Sequence, residues 1–347
     1  MATQLVLRSF SEGGRVTTEN APFADRNKNF LTFLKTFEIA SERYQYNRER
    51  HTMAENPENA GDKRLVLTEK DKFLQRVSNV TDLEVPPVIL DQIFPILKDD
   101  KLPEDFGRSK LMHDPSIVAY FLKQLYDEPE NRETLFSGMD DIFEHLGKEK
   151  MYDLLSEMSP MGTFENISVE DWKHAYSSHL LMHAIVSENE FSQLLYLVPL
   201  MLVHDIGKLA LRQVAPDTCD NIAALCRQKM LPRSMAEMDC LRLTHADAGA
   251  RLLKEWHFPP QLYKPVLYHH SSRIPEEYVL ETALIQFVNW VDCHVRGIPA
   301  TPLRRATMAA AGIEEIDTEY WVNRHKKIVA EINSYFEPDG IMNKKTN

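Results

Sequence analysis

Residues 194–211 read LLYLVPLMLVHDIGKLAL. The apolar run ends at Val203 and is followed at once by His204-Asp205, then Ile206-Gly207-Lys208. A hydrophobic segment anchors its own backbone in a packed core, so an imidazole and a carboxylate at its end can face one shared cation. Buried Asp is rare unless paired or bound to metal. Neutral His with Asp is ordinary ligation chemistry for Zn, Mn, Fe and Ni. Lys208, spaced to share a helix face with the pair, can meet an anion held by such a cation. The same stretch also reads as a helix C-terminus, with a solvated Asp, Gly207 as cap and Lys208 complementing the dipole.

A chain of 347 residues can bury a sizeable core and has room for two or three domains. Its 43% apolar and 27% charged residues are those of a globular protein in water. A formal net charge of -12 argues against nucleic acid and anionic membrane surfaces as partners. The opening MATQLVLRSFSEGG lacks the apolar core of a signal peptide, and the run from Leu194 to Val203 is too short to span a bilayer. The expected location is therefore the cytoplasm. Cys219, Cys226, Cys240 and Cys293 form no CxxC pair and read as reduced thiols.

Helix signals run almost throughout, and the fold class expected is all-α. Residues 1–80 form an amino-terminal segment of unassigned role. It holds a short strand candidate at 4–7, an amphipathic helix over about 27–50 with Phe30, Phe33, Leu34, Phe37 and Tyr44 on one face, and a linker over about 51–64. Thr68 with Asp71 makes a capping-box start, and Val85-Pro86-Pro87 marks a boundary. Short helices follow to Met158, the first from Val88 and another capped by Asp114 with Pro115 behind it.

Ser168 with Asp171 opens a helix to about Ser187 that carries His174, His179 and His183. His179 and His183 share a face while His174 points elsewhere, and periodicity does not choose among them. Ser234 with Glu237 is read as the cap of one helix carrying His245 and Gly249 towards Trp256, and a further helix reaches His269-His270. Asp292 lies in the long apolar helix from Glu276 to Arg296 and needs a partner: a buried Arg, a cap or a metal. The last helix, 317–336, puts Trp321, Ile328, Ile332 and Tyr335 on one side.

In this order His174, His204-Asp205 and Asp292 resemble the signature of the HD-domain metal-dependent phosphohydrolases. TrpLysHis at 172–174, HisAspIleGlyLys at 204–208, ThrHisAlaAspAlaGlyAlaArgLeuLeu at 244–253, HisHis at 269–270 and AsnTrpValAsp at 289–292 are similar to the HDOD domain, a signalling relative of the HD-GYP phosphodiesterases. The resemblance covers about residues 85–300. It divides them into a helical amino-terminal half (85–160) and an HD-like half (165–300), ahead of carboxy-terminal helices at 301–347.

The resemblance implies an HD-like helical bundle and selects His174 by its place after Trp172. It implies one metal on His174, His204, Asp205 and Asp292, and in two-metal members a second on His245, His269 and His270 with Asp205 bridging. The cofactors implied are one or two divalent transition-metal ions, Fe, Mn, Zn or Ni. Asp205 and Lys208 are the implied catalytic residues, acting on a nucleotide or other phosphoester through metal-activated water. No Gly-Tyr-Pro motif follows the His-Asp pair, which leaves the substrate open. The alternative is a non-catalytic signalling module that binds a nucleotide or a protein partner.

Overall fold

The computed structural model describes residues 68–81, 83, 114–157, 169–189, 191–310 and 318–336, all within the unit Asp62–Asn347. The strand candidate at 4–7, the helix at 27–50, the linker at 51–64, the Pro-Pro break and the helix after Val88 lie outside the described residues. Among the described residues every regular element is helical and there is no strand. The fold is all-α.

Local chemistry accounts for the first helices. In α1 (Glu69–Ser78) the Thr68 hydroxyl accepts from the Asp71 N–H and the Asp71 carboxylate accepts from the Thr68 N–H, the predicted capping box. In α2 (Pro115–Asp127) Asp114 Oδ1 accepts from the N–H groups of Ser116 and Ile117, and Pro115 stands where no N–H is needed. α3 (Met139–Leu146) and α4 (Lys148–Glu157) follow on either side of Gly147.

The centre of the unit is α5 (Val169–Glu188), α6 (Leu197–Val203) and α7 (Ile206–Val214). Every residue of α6 is buried, and each large apolar side chain so placed contributes about 1.5–3 kcal/mol. That anchors the backbone of His204 and Asp205, which form the joint between α6 and α7. The alternative of a helix C-terminus is corrected accordingly: Gly207 sits inside the first turn of α7 and caps nothing. The span Ser192–Val214 is long and apolar enough by composition to cross a membrane, yet it is mostly buried within this fold.

α8 (Pro216–Lys229) leads to a second correction. The single helix expected from Ser234 towards Trp256 is two, α9 (Arg233–Leu241) and α10 (His245–Glu255), broken where Arg242 takes a left-handed φ of 59°. Ser234 caps neither; α10 has its own capping box in Thr244 and Asp247. Then come α11 (Pro260–Tyr268), α12 (Val279–Arg296), α13 (Arg305–Ala310) and α14 (Thr318–Ser334). Gly297, at φ 68°, ends α12 in the left-handed conformation that glycine adopts most readily.

Packing brings these helices to one place. α5 lies against α6, α12 and α14, while α10 lies against α7, α11 and α1. The α7–α10 crossing is made by two glycines: a Cβ on Gly207 would stand 1.9 Å from the His245 carbonyl oxygen and 2.4 Å from the Gly249 nitrogen. The backbones of the two helices meet there, with the Ile206 side chain alongside. The His204-Asp205 joint and His245 are thereby brought together.

Candidate metal centre

Two clusters of donor atoms meet at Asp205. His174, His204 and Asp205 form one, and Asp205, His245, His269 and His270 the other, with the donor atoms of each within 4.8 Å of one another. Asp205 Oδ2 lies 3.3 Å from His174 Nε2, and Oδ1 lies 3.0 Å from His245 Nε2 and 3.5 Å from both His204 Nε2 and His269 Nε2. The carboxylate therefore stands at the seam between two imidazole groups contributed by α5, the α6–α7 joint, α10 and the end of α11.

The outer face of four of the rings fixes which nitrogen carries hydrogen. His204 Nδ1 donates to the Met201 carbonyl at 2.7 Å and His269 Nδ1 to the Val266 carbonyl at 2.6 Å. His174 Nδ1 donates to Asp292 Oδ2 and His245 Nδ1 to Glu237 Oε2, both at 2.6 Å. Carbonyls and carboxylates only accept, so each of these rings carries hydrogen on its outer Nδ1 and turns its Nε2 inward. Two pairs of Nε2 atoms face each other, His174 with His204 at 3.2 Å and His245 with His270 at 2.9 Å. Nitrogens so close share either one proton or a cation between them. Asp205 Oδ1 and His269 Nε2 are buried with no hydrogen-bond partner, which a metal would satisfy. The donor set fits a divalent transition ion.

Proton affinities follow the same geometry. Burial opposes charging of His174, but Asp292 and Asp205 outweigh it and raise the ring to about 9. Burial likewise opposes charging of His245, but Glu237 and Asp205 raise it to about 9. Their pair partners go the other way: burial lowers His204 to about 3, and burial with the neighbouring rings holds His270 well below its ordinary value. Each pair thus holds one proton where an ion would sit. Asp205, although buried, is kept well below the usual carboxylate range by His204, Lys208 and His245.

Lys208 Nζ lies 2.7 Å from Asp205 Oδ2 and 3.0 Å from Asp171 Oδ1. Burial opposes its charge, but these two carboxylates raise its pKa. Its ammonium fronts a cavity of about 420 Å³ that also takes in His174, Asp205, His245 and His270. Arg227 and Arg233 add positive charge to the wall, and Met230, Pro232, Ile298 and Pro299 make it apolar elsewhere. A volume of that size suits a small organic ligand.

Of the residues expected at the site, His174, His204, Asp205, His245, His269 and His270 converge as described, and Lys208 borders them. Asp292 is in neither donor cluster; it stands behind His174. Sequence reasoning missed Glu237, read as a cap, whose carboxylate is fully buried against His245 and Arg233. It missed Asp171, also read as a cap. His325 on α14 went unnoticed although it falls four residues after Trp321 on the apolar stripe, which was the available signal. His179, left open beside His174, is used elsewhere, donating to the Val198 carbonyl, and His183 is exposed.

A helical bundle with paired imidazoles around one His-Asp joint is consistent with an HD-like domain. Residues 142–272 match the sequence profile of the HDOD domain, and the chain carries an HDOD domain there. Its fold is similar to the MmoQ response regulator from Methylococcus capsulatus str. Bath, at TM-score 0.53 and 15% identity over 70% of this chain and 99% of that one. It is also similar to a virulence factor from Campylobacter jejuni subsp. jejuni, at TM-score 0.54 and 14% identity over 76% of this chain and 96% of that one. No curated protein matches the sequence.

Proposed function

We propose that this HDOD domain is a metal-dependent phosphohydrolase or phosphodiesterase acting on a nucleotide or other phosphoester. The observation that carries the reading is the set of inward Nε2 atoms gathered on one carboxylate, with Asp205 Oδ1 and His269 Nε2 left buried and unsatisfied. His174, His204 and Asp205 would hold one ion and His245, His269 and His270 a second, Asp205 serving both. Such ions, when bound, make water a nucleophile near neutral pH and offset charge on a phosphoryl group.

The chain's own side chains supply the rest. Lys208, between Asp205 and Asp171, holds a positive charge at the cavity edge and steadies a non-bridging phosphate oxygen. Arg227, on a wall that also carries Glu170 and Asp171, offers a charge to an anion, and the wall at Met230, Pro232 and Ile298 receives the organic part of the ester. The donor set admits Fe, Mn, Zn or Ni.

A second reading is a signalling module that binds metal or nucleotide without turnover and works through a protein partner. The absent Gly-Tyr-Pro motif and the fold shared with a protein described as a response regulator favour it. Metal quantification followed by assay against bis(p-nitrophenyl) phosphate and a panel of nucleotides separates the two. Hydrolysis by wild type and its loss in a folded Asp205→Ala variant are the expected results. A metal-loaded chain with no turnover on any of them favours the signalling reading instead, and a chain that binds no metal overturns the first.

A further inference from the structure

Asp292 is fully buried, and every oxygen lone pair it offers has a claimant. Oδ2 accepts from His174 Nδ1 at 2.6 Å and from Arg296 Nε at 2.9 Å. Oδ1 accepts from Ser177 Oγ at 2.5 Å, His325 Nε2 at 2.6 Å and Arg296 Nε at 3.1 Å. Two in-plane lone pairs per oxygen leave none for an ion. The Arg296 guanidinium, its Nε shared between the two oxygens, also offsets the charge of this carboxylate.

We infer that Asp292 is not a metal ligand in this chain but a positioning residue, and that His325, from the helix α14 beyond the HDOD match, completes its support. Resting on the proposed metal centre, the inference assigns the order His325 to Asp292 to His174 to ion. The carboxylate fixes the His174 tautomer and aims its Nε2, as outer carboxylates do for metal-bound imidazoles. Ser177, on α5 with His174, and His325, on α14, hold the carboxylate from two different helices. Phe336, just past α14, packs edge-on to Trp172 at 5.6 Å, next to the His174 turn, and Lys173 lies over its ring. α14 thus contributes to the centre through one imidazole.

The test uses the full chain loaded with Co(II), whose visible absorption reports coordination number and whose titration reports affinity. Asp292→Asn is expected to keep the wild-type stoichiometry and spectral shape, while His204→Ala loses them. His325→Leu, which fills the space but cannot donate, is expected to weaken Co(II) binding by about tenfold or more. His325→Gln, whose amide can donate to Asp292, is expected to restore it. Should His325→Leu not fold, His325→Met, which also fills the space without donating, is read in its place. A changed spectrum in Asp292→Asn makes it a ligand and overturns the inference. So does unchanged affinity in His325→Leu, which makes α14 a packing element only. A wild-type chain that takes up no cobalt removes the metal reading itself.

Discussion

Glu237 holds His245 twice: Oε2 accepts from its backbone N–H at 2.8 Å and from its Nδ1 at 2.6 Å. Arg233 Nε donates to the other oxygen at 2.8 Å, and burial notwithstanding, His245 and Arg233 hold the carboxylate down to about 2. One buried side chain therefore holds both the first turn of α10, behind its Thr244 cap, and the direction its first imidazole faces. Glu237→Gln puts an amide where an acceptor is needed. Metal affinity is expected to fall by about 10- to 100-fold, read by competition with a chromophoric chelator. Affinity equal to wild type would show that Glu237 serves α10 alone.

Gly207→Ala tests the α7–α10 crossing. The added methyl meets main-chain atoms of His245 and Gly249, which cannot rotate away as a side chain can. The helices must part, at a cost of about 1–3 kcal/mol or more for overpacking. A lower Tm together with a weakened His245 group is expected; a thermal scan and metal titration of the same sample check both.

Proton competition sets a pH profile. In chelator-treated protein His174 and His245 are raised to about 9, so their charged forms stabilise the fold fully below an ordinary histidine's pKa. That contribution is lost as pH rises through about 9. An ion needs the bare rings, so apparent affinity is expected to climb by about tenfold per pH unit per displaced proton up to about 9 and level off above. Metal titrations between pH 7 and 10 check it, with the Tm of the metal-free protein moving in the opposite direction. Affinity flat across that range would contradict the assignment.

Lys208→Met separates substrate handling from metal binding. The ammonium touches Asp205 and Asp171 but is not a metal donor. Metal stoichiometry is expected to persist while kcat/KM on a phosphodiester falls by about 10²–10³-fold, the scale for losing one charge-stabilising donor. Simultaneous loss of metal would place Lys208 in the support of the centre instead.

What could be read from residues alone depended on how local the cause was. The Thr68 box, the Asp114 cap, the Gly297 stop and the His204-Asp205 joint are produced by neighbours in sequence, and a close reading finds them. The break at Arg242 was hidden because no Gly or Pro announces it; an arginine occupies the left-handed position. Glu237 sits three residues after Ser234, the spacing of a cap, and nothing local says that its carboxylate turns towards His245. The surroundings of Asp292 come from α5 and α14 as well as its own helix, and such a juxtaposition has no signature in linear order.

The side chains that make and hold the centre run from His174 to His325. Bringing together residues so far apart in sequence costs the entropy of closing the intervening loops. A chain emerging from the ribosome has its His-Asp joint long before it has the imidazole that steadies Asp292. If the centre takes an ion as proposed, full-strength capture would wait for α14 to dock, and the time course of metal uptake during refolding would show when that helix joins the rest.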